Sequence, residues 1–435
     1  MTTLYQRQWL FIRLPVMAVT AAVVAWGWLV VWPMPPTQLS ISSAGADGAY
    51  YRHAQHYAER FAAHGVTLQV QTSEGSRQNL ERLRQSTAPA DLALVQGGYG
   101  YLGTPINKRG PSRVETLVNV DIEPLWVFSR NRSIDAISQL EGLRVAIGPE
   151  GSGSRQIALR LMEQARLAPA DVKLSSLTGN ASAQALRAGE LDVVMVVAAP
   201  ESLAVQNLLS LPGIELANLR KSAAITERNP FLESRLLAQA TLDTRIPPRD
   251  ITLLTTSASL VAREDLHPAL KRLAIAVTME EHTGGGLFHR AGDFPSLRRI
   301  DFPTASESRP TLVNGLPLLE QVLPFWWAQM AQRLLLIGLP AIAAAWLLMR
   351  LIPTYLRWSI ESRVNRWYGE LKFIENDLNQ QAMSGLDITR YALQLNAMDR
   401  ALTAFECPQD LMARCFTLRR HVEFVRQGLY RLRGR

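Results

Sequence analysis

The chain has 435 residues, room for two or three folding units, with ordinary globular composition and a formal net charge of +8. Residues 37–322 carry 29 basic and 29 acidic side chains, while the stretch from Arg333 onward carries 15 basic against 9 acidic. A nucleic-acid binder would concentrate positive charge on a folded domain; here it sits beside apolar segments, the pattern that orients membrane proteins.

Arg7 and Arg13 precede Leu14–Trp32, an uncharged run that nearly spans a hydrocarbon core of roughly 30 Å at about 1.5 Å per residue. A cleaved signal peptide would have a shorter apolar region and end in a small-x-small site. This run ends Trp-Pro-Met-Pro-Pro, so an uncleaved anchor is expected over residues 9–32, with residues 1–8 cytoplasmic.

From Leu39 onward, short apolar strands alternate with helices. Strands are expected at Gln38–Ser42, Val66–Gln71, Asp91–Val95, Trp126–Ser129, Arg144–Gly148, Lys173–Leu177, Asp192–Val197 and Ile251–Ala262. Helices are expected at Tyr50–His64, Ser76–Arg84, Ser152–Arg166, Ala181–Gly189, Glu201–Leu209 and Pro268–Thr283. Such alternation predicts an α/β fold of parallel sheets covered by helices, and two successive batteries predict two lobes. The first lobe is placed at about 37–122 and 250–322, the second at about 123–249, with a ligand at the carboxyl ends of the strands. The loops there are rich in small residues and open helices, where free N–H groups attract a carboxylate or phosphate. They name the candidate ligand-binding residues Gly45, Asp47, Gly48, Tyr50, Thr72, Ser73, Gln96, Ser152, Gly153, Ser154 and Arg155. Ser76 and Ser152 also fit plain helix caps. Tyr50, Tyr51 and Tyr99 fit either ligand stacking or packing, and Arg155 either an anion partner or an exposed helix residue.

His53 and His56 share a helix face, yet no further ligands are spaced for a metal, so they read as surface histidines. No nucleophile elbow, Walker loop or zinc signature occurs. Neither catalysis nor a cofactor is expected.

A second apolar run, Leu334–Met349 between Arg333 and Arg350, predicts a further span over about 325–352, its arginines snorkelling to the interfaces and Pro340 kinking the helix. Eight of the ten tryptophans lie in or beside the two runs, as interfacial belts do. The flanking arginines place both termini inside and residues 37–322 outside. The tail, 353–435, has helical apolar spacing and is expected to form a cytoplasmic hairpin or short coiled coil for dimerisation or a cytoplasmic partner. Cys407 and Cys415 read as idle thiols.

Four segments carry a resemblance. Gly45-Ala-Asp-Gly-Ala-Tyr-Tyr51, Thr72-Ser-Glu-Gly-Ser-Arg-Gln-Asn-Leu80, Ala90-Asp-Leu-Ala-Leu-Val-Gln96, and Gly142-Leu-Arg-Val-Ala-Ile-Gly148 with Gly151-Ser-Gly-Ser154 are similar to the TAXI receptors of tripartite ATP-independent periplasmic (TRAP) transporters. The resemblance covers about Leu39–Thr283 and implies a type II periplasmic-binding-protein fold. It implies capture of a small organic anion (dicarboxylate, 2-oxo acid or acidic amino acid) at the inner membrane for TRAP permease subunits. Asp47 and Glu74 put carboxylates into loops that are neutral in the family. The second span and tail also depart from it, and open a rival reading as a sensor relaying ligand binding across the membrane.

Overall fold

The structure, a computed structural model, describes residues 9–46, 48–85, 90–102, 114–379, 385–405, 407 and 411–433. It divides into two compact units, Met34–Ala331 on the one hand and Met1–Pro33 with Gln332–Arg435 on the other.

In the first unit, β1 (Gln38–Ser42) lies between β2 (Thr67–Gln71) and β3 (Leu92–Gln96), parallel to both. The pattern repeats further along the chain. There β5 (Arg144–Ala146) lies between β6 (Lys173–Ser175) and β7 (Val193–Val197), again parallel to both. Helices follow these strands: α1 (Ala49–Ala63), α2 (Ser76–Arg84), α3 (Gly153–Gln164), α4 (Gly179–Ala188) and α5 (Leu203–Leu209). β3 and β7, covered on both faces, are near-continuous apolar runs, whereas the edge strands β2 and β6 carry polar and exposed positions. Along β7, Val193 and Met195 join one core with Ile157 and Leu161, while Val194 faces another with Leu186, Val205 and Leu208. In the first lobe, Ile41, Leu92 and Leu94 pack with Tyr57 and Phe61 of α1 and with Leu270, Leu273 and Val277 of α6 (Pro268–His282).

Two long strands join the lobes. β4 (Val114–Arg130) pairs antiparallel with β10 (Ile251–Arg263) from Val114↔Arg263 to Leu125↔Leu254, and its far end pairs with β7. The opposite end of β10 pairs with β3. The sequence reading placed no strand between Val95 and Trp126 and expected parallel sheets. Glu115, Asp121 and Glu123 interrupt the apolar run there, and the β10 pairings are antiparallel. Short strands β8 (Ile214–Leu216) and β9 (Glu233–Leu237), edge partners of β4 and β10, have no apolar run long enough to read from sequence.

His53 is not a surface histidine. Its ring lies 4.8 Å from that of His282, whose Nε2 is 2.6 Å from the Tyr57 hydroxyl. Burial pushes His53 down to about 4 and His282 to about 3, so both are neutral near pH 7. The unfolded chain, with ordinary histidines near 6.5, then binds more protons than the folded one as pH falls below that value. Stability is therefore expected to be fully present above about pH 6.5 and to decline as pH falls through about 4 toward 3. Thermal melts from pH 7.5 to 4 should show this decline, and His282→Gln should flatten it; an unchanged slope in the variant refutes the assignment.

The second unit contains a helix over Leu10–Val31, and the chain's longest helix, Phe325–Leu378, extends into it; both are long and apolar enough to cross a membrane. The two pack closely: a Cβ on Gly27 would sit 3.1 Å from Ile337 Cγ2. Pro340 does not break the long helix. The preceding residues Leu334–Gly338 form a wider π-turn, which gives the ring room against the turn before it. Arg333 does not snorkel. It is 1% exposed and donates from Nε to the Trp32 carbonyl (3.1 Å) and from Nη2 to the Pro33 carbonyl, acceptors left open where the first helix ends.

The tail is a three-helix arrangement and not a hairpin. The end of the long helix supplies Val364, Leu371 and Ile374 to a core completed by Gly385–Ala404 (Tyr391, Leu395, Met398) and Met412–Arg433 (Cys415, Leu418, Val422, Val425). Cys407 and Cys415 are disulfide-bonded, with Cα atoms 6.7 Å apart, and are not idle thiols. The bond holds Cys407 against the first turn of the last helix, a proximity the spacing alone does not reveal.

Candidate functional site

The strand ends of both lobes open on one cavity of about 640 Å³. Its first-lobe wall is Gly45 and Gly48 after β1, Tyr50 on α1, Gly75 and Ser76 at the start of α2, and Gln96 at the end of β3. Its second-lobe wall is Ser152, Gly153 and Ser154 after β5, Thr178–Ala181 after β6, and Ala198, Ala199 and Ser202 after β7. Glu123 of β4 also lines it.

Seven of the residues named from sequence therefore line one space: Gly45, Gly48, Tyr50, Gln96, Ser152, Gly153 and Ser154. Asp47 lies outside the described residues. Thr72, Ser73 and Arg155 do not line the cavity. The Thr72 carbonyl accepts from Arg82 (2.8 Å), while the Ser73 hydroxyl donates to Ser43 O (3.2 Å) and accepts from Gly75 N (3.2 Å). These groups shape the turn after β2. The Arg155 guanidinium donates back to Gly148 O at 3.2 Å, satisfying the turn that precedes its own helix.

The serines bind backbone first. Ser76 Oγ accepts from Gln96 N (2.9 Å), and Ser154 Oγ accepts from Val197 N (2.9 Å), so each pins a strand end to the helix start beside it. Each hydroxyl hydrogen is left free to serve a ligand. Ser152 is the plain cap of α3, accepting from Arg155 N at 3.3 Å. By contrast α1, α2 and α4 have no side-chain cap: Gly48, Gly75 and Thr178 occupy their cap positions without bonding the helix amides. The N-termini of α1 and α4 thus border the cavity with the positive ends of their helix dipoles, while at α2 the Arg77 N–H is taken by Gly151 O of the other lobe at 3.4 Å.

The lobes touch at its rim. The Tyr99 hydroxyl donates to Gly151 O at 2.6 Å, so Tyr99 is a contact residue between lobes. The Gln96 side chain is 6% exposed and lies against Gly153, and its Nε2 is enclosed without a hydrogen-bond partner among the described residues. An enclosed amide donor costs stability unless something accepts from it.

No lysine or arginine is among the described residues lining the cavity. Among the described lining residues the one carboxyl is Glu123, 6% exposed, whose Oε2 accepts from the Tyr50 hydroxyl at 2.8 Å. Burial pushes Glu123 up to about 8; the bond from Tyr50 opposes this and the nearby Asp121 reinforces it. Asp121 is itself raised by burial and sits 3.2 Å from His289 Nε2. Sequence reasoning missed Glu123 because an acid followed by Pro124 looks like the end of a connection. The loops after β6 and β7 were within reach of the same strand-end argument that found the others.

Two α/β lobes that share two strands and enclose a cavity at their strand ends define the two-lobed periplasmic-binding-protein fold. The model of the NMT1-like family matches residues 41–291, and the chain belongs to that family. Among solved structures, the chain is similar to the periplasmic aliphatic sulphonate binding protein of Escherichia coli, at 16% identity and a TM-score of 0.36 over 57% of this chain and 69% of that one. It is also similar to a putative L-cystine ABC transporter protein from Listeria monocytogenes, at 12% identity and 0.38 over 60% and 99%.

Proposed function

We propose that the segment 37–322 is a periplasmic receptor that captures a small organic anion and delivers it to a TRAP-type permease, held at the inner membrane by a helix on either side. The observation that carries this reading is the cavity, bordered from both lobes by helix N-termini without side-chain caps and by the unpartnered Gln96 amide. Its volume of about 640 Å³ is ample for a small organic molecule. The neutral charge balance of 37–322 and the basic flanks support both termini being cytoplasmic. On that topology the Cys407–Cys415 pair, disulfide-bonded in the structure, would face a reducing compartment.

Thermal shift of the full chain in detergent, against 2-oxo acids, dicarboxylates and amino acids, tests the capture step. At least one compound at about 100 times its Kd is expected to add roughly 2.7 kcal/mol of stability; no shift from any of them refutes it. A second reading, a sensor, is favoured by the packed three-helix tail that follows the second apolar helix. Truncation beyond Arg357 separates the two: a receptor keeps ligand uptake, whereas a sensor loses a signalling output.

A further inference from the structure

The cavity poses an electrostatic puzzle that the capture reading does not answer. A site for an anion normally supplies a guanidinium or ammonium, yet none is among the described lining residues, which include the carboxyl of Glu123. If Glu123 were ionised, it would repel the ligand that the helix N-termini attract.

The geometry resolves this. Tyr50 donates to Glu123 Oε2, which makes that oxygen the acceptor and leaves Oε1 with no hydrogen bond among the described residues. Oε1 is also not among the fully enclosed polar atoms, so it is open to the cavity that Glu123 lines. A proton on Oε1 turns the carboxyl into a donor facing the cavity.

The groups around Glu123 agree with this protonation state. From α1, Tyr50 is held far above its ordinary value by burial and stays a neutral donor. On β4 itself, Asp121 adds negative charge, balanced in part by His289, with Glu201 adding more negative charge to Asp121. Among the described residues, no neighbouring cation favours ionisation of Glu123.

We propose that Glu123 meets the ligand as a neutral carboxylic acid that donates a hydrogen bond to its carboxylate, so that the cavity selects acids with a single carboxylate over dicarboxylates and binds them together with a proton. The proposal rests on the capture reading. It narrows the ligand to a monocarboxylate, such as a 2-oxo monoacid, and makes Glu123 the residue that reads its charge. A second carboxylate would find no counter-cation among the described lining residues, and a buried unpaired charge is costly.

The test is isothermal titration of the full chain in detergent with 2-oxobutanoate, 2-oxoglutarate and putrescine between pH 6 and 9.5. For 2-oxobutanoate, affinity should be level to about pH 8, where Glu123 titrates, then fall about tenfold per pH unit as the bound proton is lost. At pH 7, 2-oxobutanoate should bind at least about tenfold more tightly than 2-oxoglutarate. Glu123→Gln keeps an N–H donor without a titrating proton. It should weaken binding at pH 7 by roughly three- to tenfold and abolish the slope above pH 8. A flat wild-type profile overturns the proposal while leaving capture standing, as does tighter binding of 2-oxoglutarate. Binding of putrescine that strengthens with pH overturns it by showing an ionised Glu123. If none of the three binds, and the wider thermal-shift panel is also silent, the capture reading fails and this proposal with it.

Discussion

Gly153→Val is expected to weaken ligand binding by roughly 100-fold, about 3 kcal/mol, while leaving the melting temperature of the ligand-free protein within a few degrees. A Cβ at this position would lie 2.3 Å from Gln96 Oε1 and 2.6 Å from its Nε2. Glycine is needed here for space and not for backbone conformation, because Gly153 lacks the positive φ seen at Gly148 (+87°) and Gly151 (+85°). The helix therefore tolerates valine, and the clash falls on the Gln96 amide. That side chain can escape only into the cavity, where it occupies the ligand's place, or by pushing the lobes apart. Both routes cost affinity without unfolding either lobe. Titration calorimetry with a compound from the thermal-shift panel measures the loss. Combining Gly153→Val with Gln96→Ala should recover part of it, since two residues in contact are not additive. Binding by Gly153→Val within threefold of wild type would show that the two lobes do not meet there around the ligand.

Trp126→Ala is expected to cost about 3–5 kcal/mol, among the largest losses of stability for a single substitution in the unit Met34–Ala331. Trp126 is fully buried, stacks on Phe128 with ring centroids 6.1 Å apart, and packs into the core formed with Leu186, Val194 and Val205. Its indole N–H donates to Ala198 O at 2.9 Å, holding the loop after β7 whose residues 198 and 199 line the cavity. Alanine leaves a large hole and an unpaired carbonyl. Melting should fall by roughly 10 °C, from about 2–4 °C per kcal/mol for a unit of this size. Trp126→Phe fills most of the space and loses mainly the hydrogen bond, about 1 kcal/mol. A drop below about 2 °C for the alanine variant would contradict the packing described.

Most of the strand and helix order was legible in the chain because parallel strands buried on both faces leave apolar runs such as Val193–Val197, bounded by glycine and serine turns. The site was legible to the same degree. Its loops follow from the rule that ligands meet the carboxyl ends of strands, and Gly45, Gly48, Gln96 and Gly153 fall where that rule puts them. What stayed hidden depends on where a side chain turns. Arg155 has the charge for an anion, but its guanidinium is spent on the carbonyl of Gly148. Glu123 has the wrong charge for the expected ligand, and only burial beside Tyr50 makes it a candidate donor. His53 reads as exposed until α6 brings His282 against it from more than 200 residues away. The three helices of the tail differ from a hairpin through contacts between segments whose apolar spacing fits either arrangement.

The continuity of β4 and β10 bears on how this protein could be taken apart. Neither lobe is a free-standing module, because cuts near residues 123–125 and 254 break β4 and β10 where their shared ten-pair ladder meets the β7 and β9 pairings, leaving a bare strand end in each piece. Split-reporter designs that divide the chain there would yield sticky fragments. A circular permutant opened at a surface turn would keep both ribbons whole, with the lobes still joined as two pages along one spine.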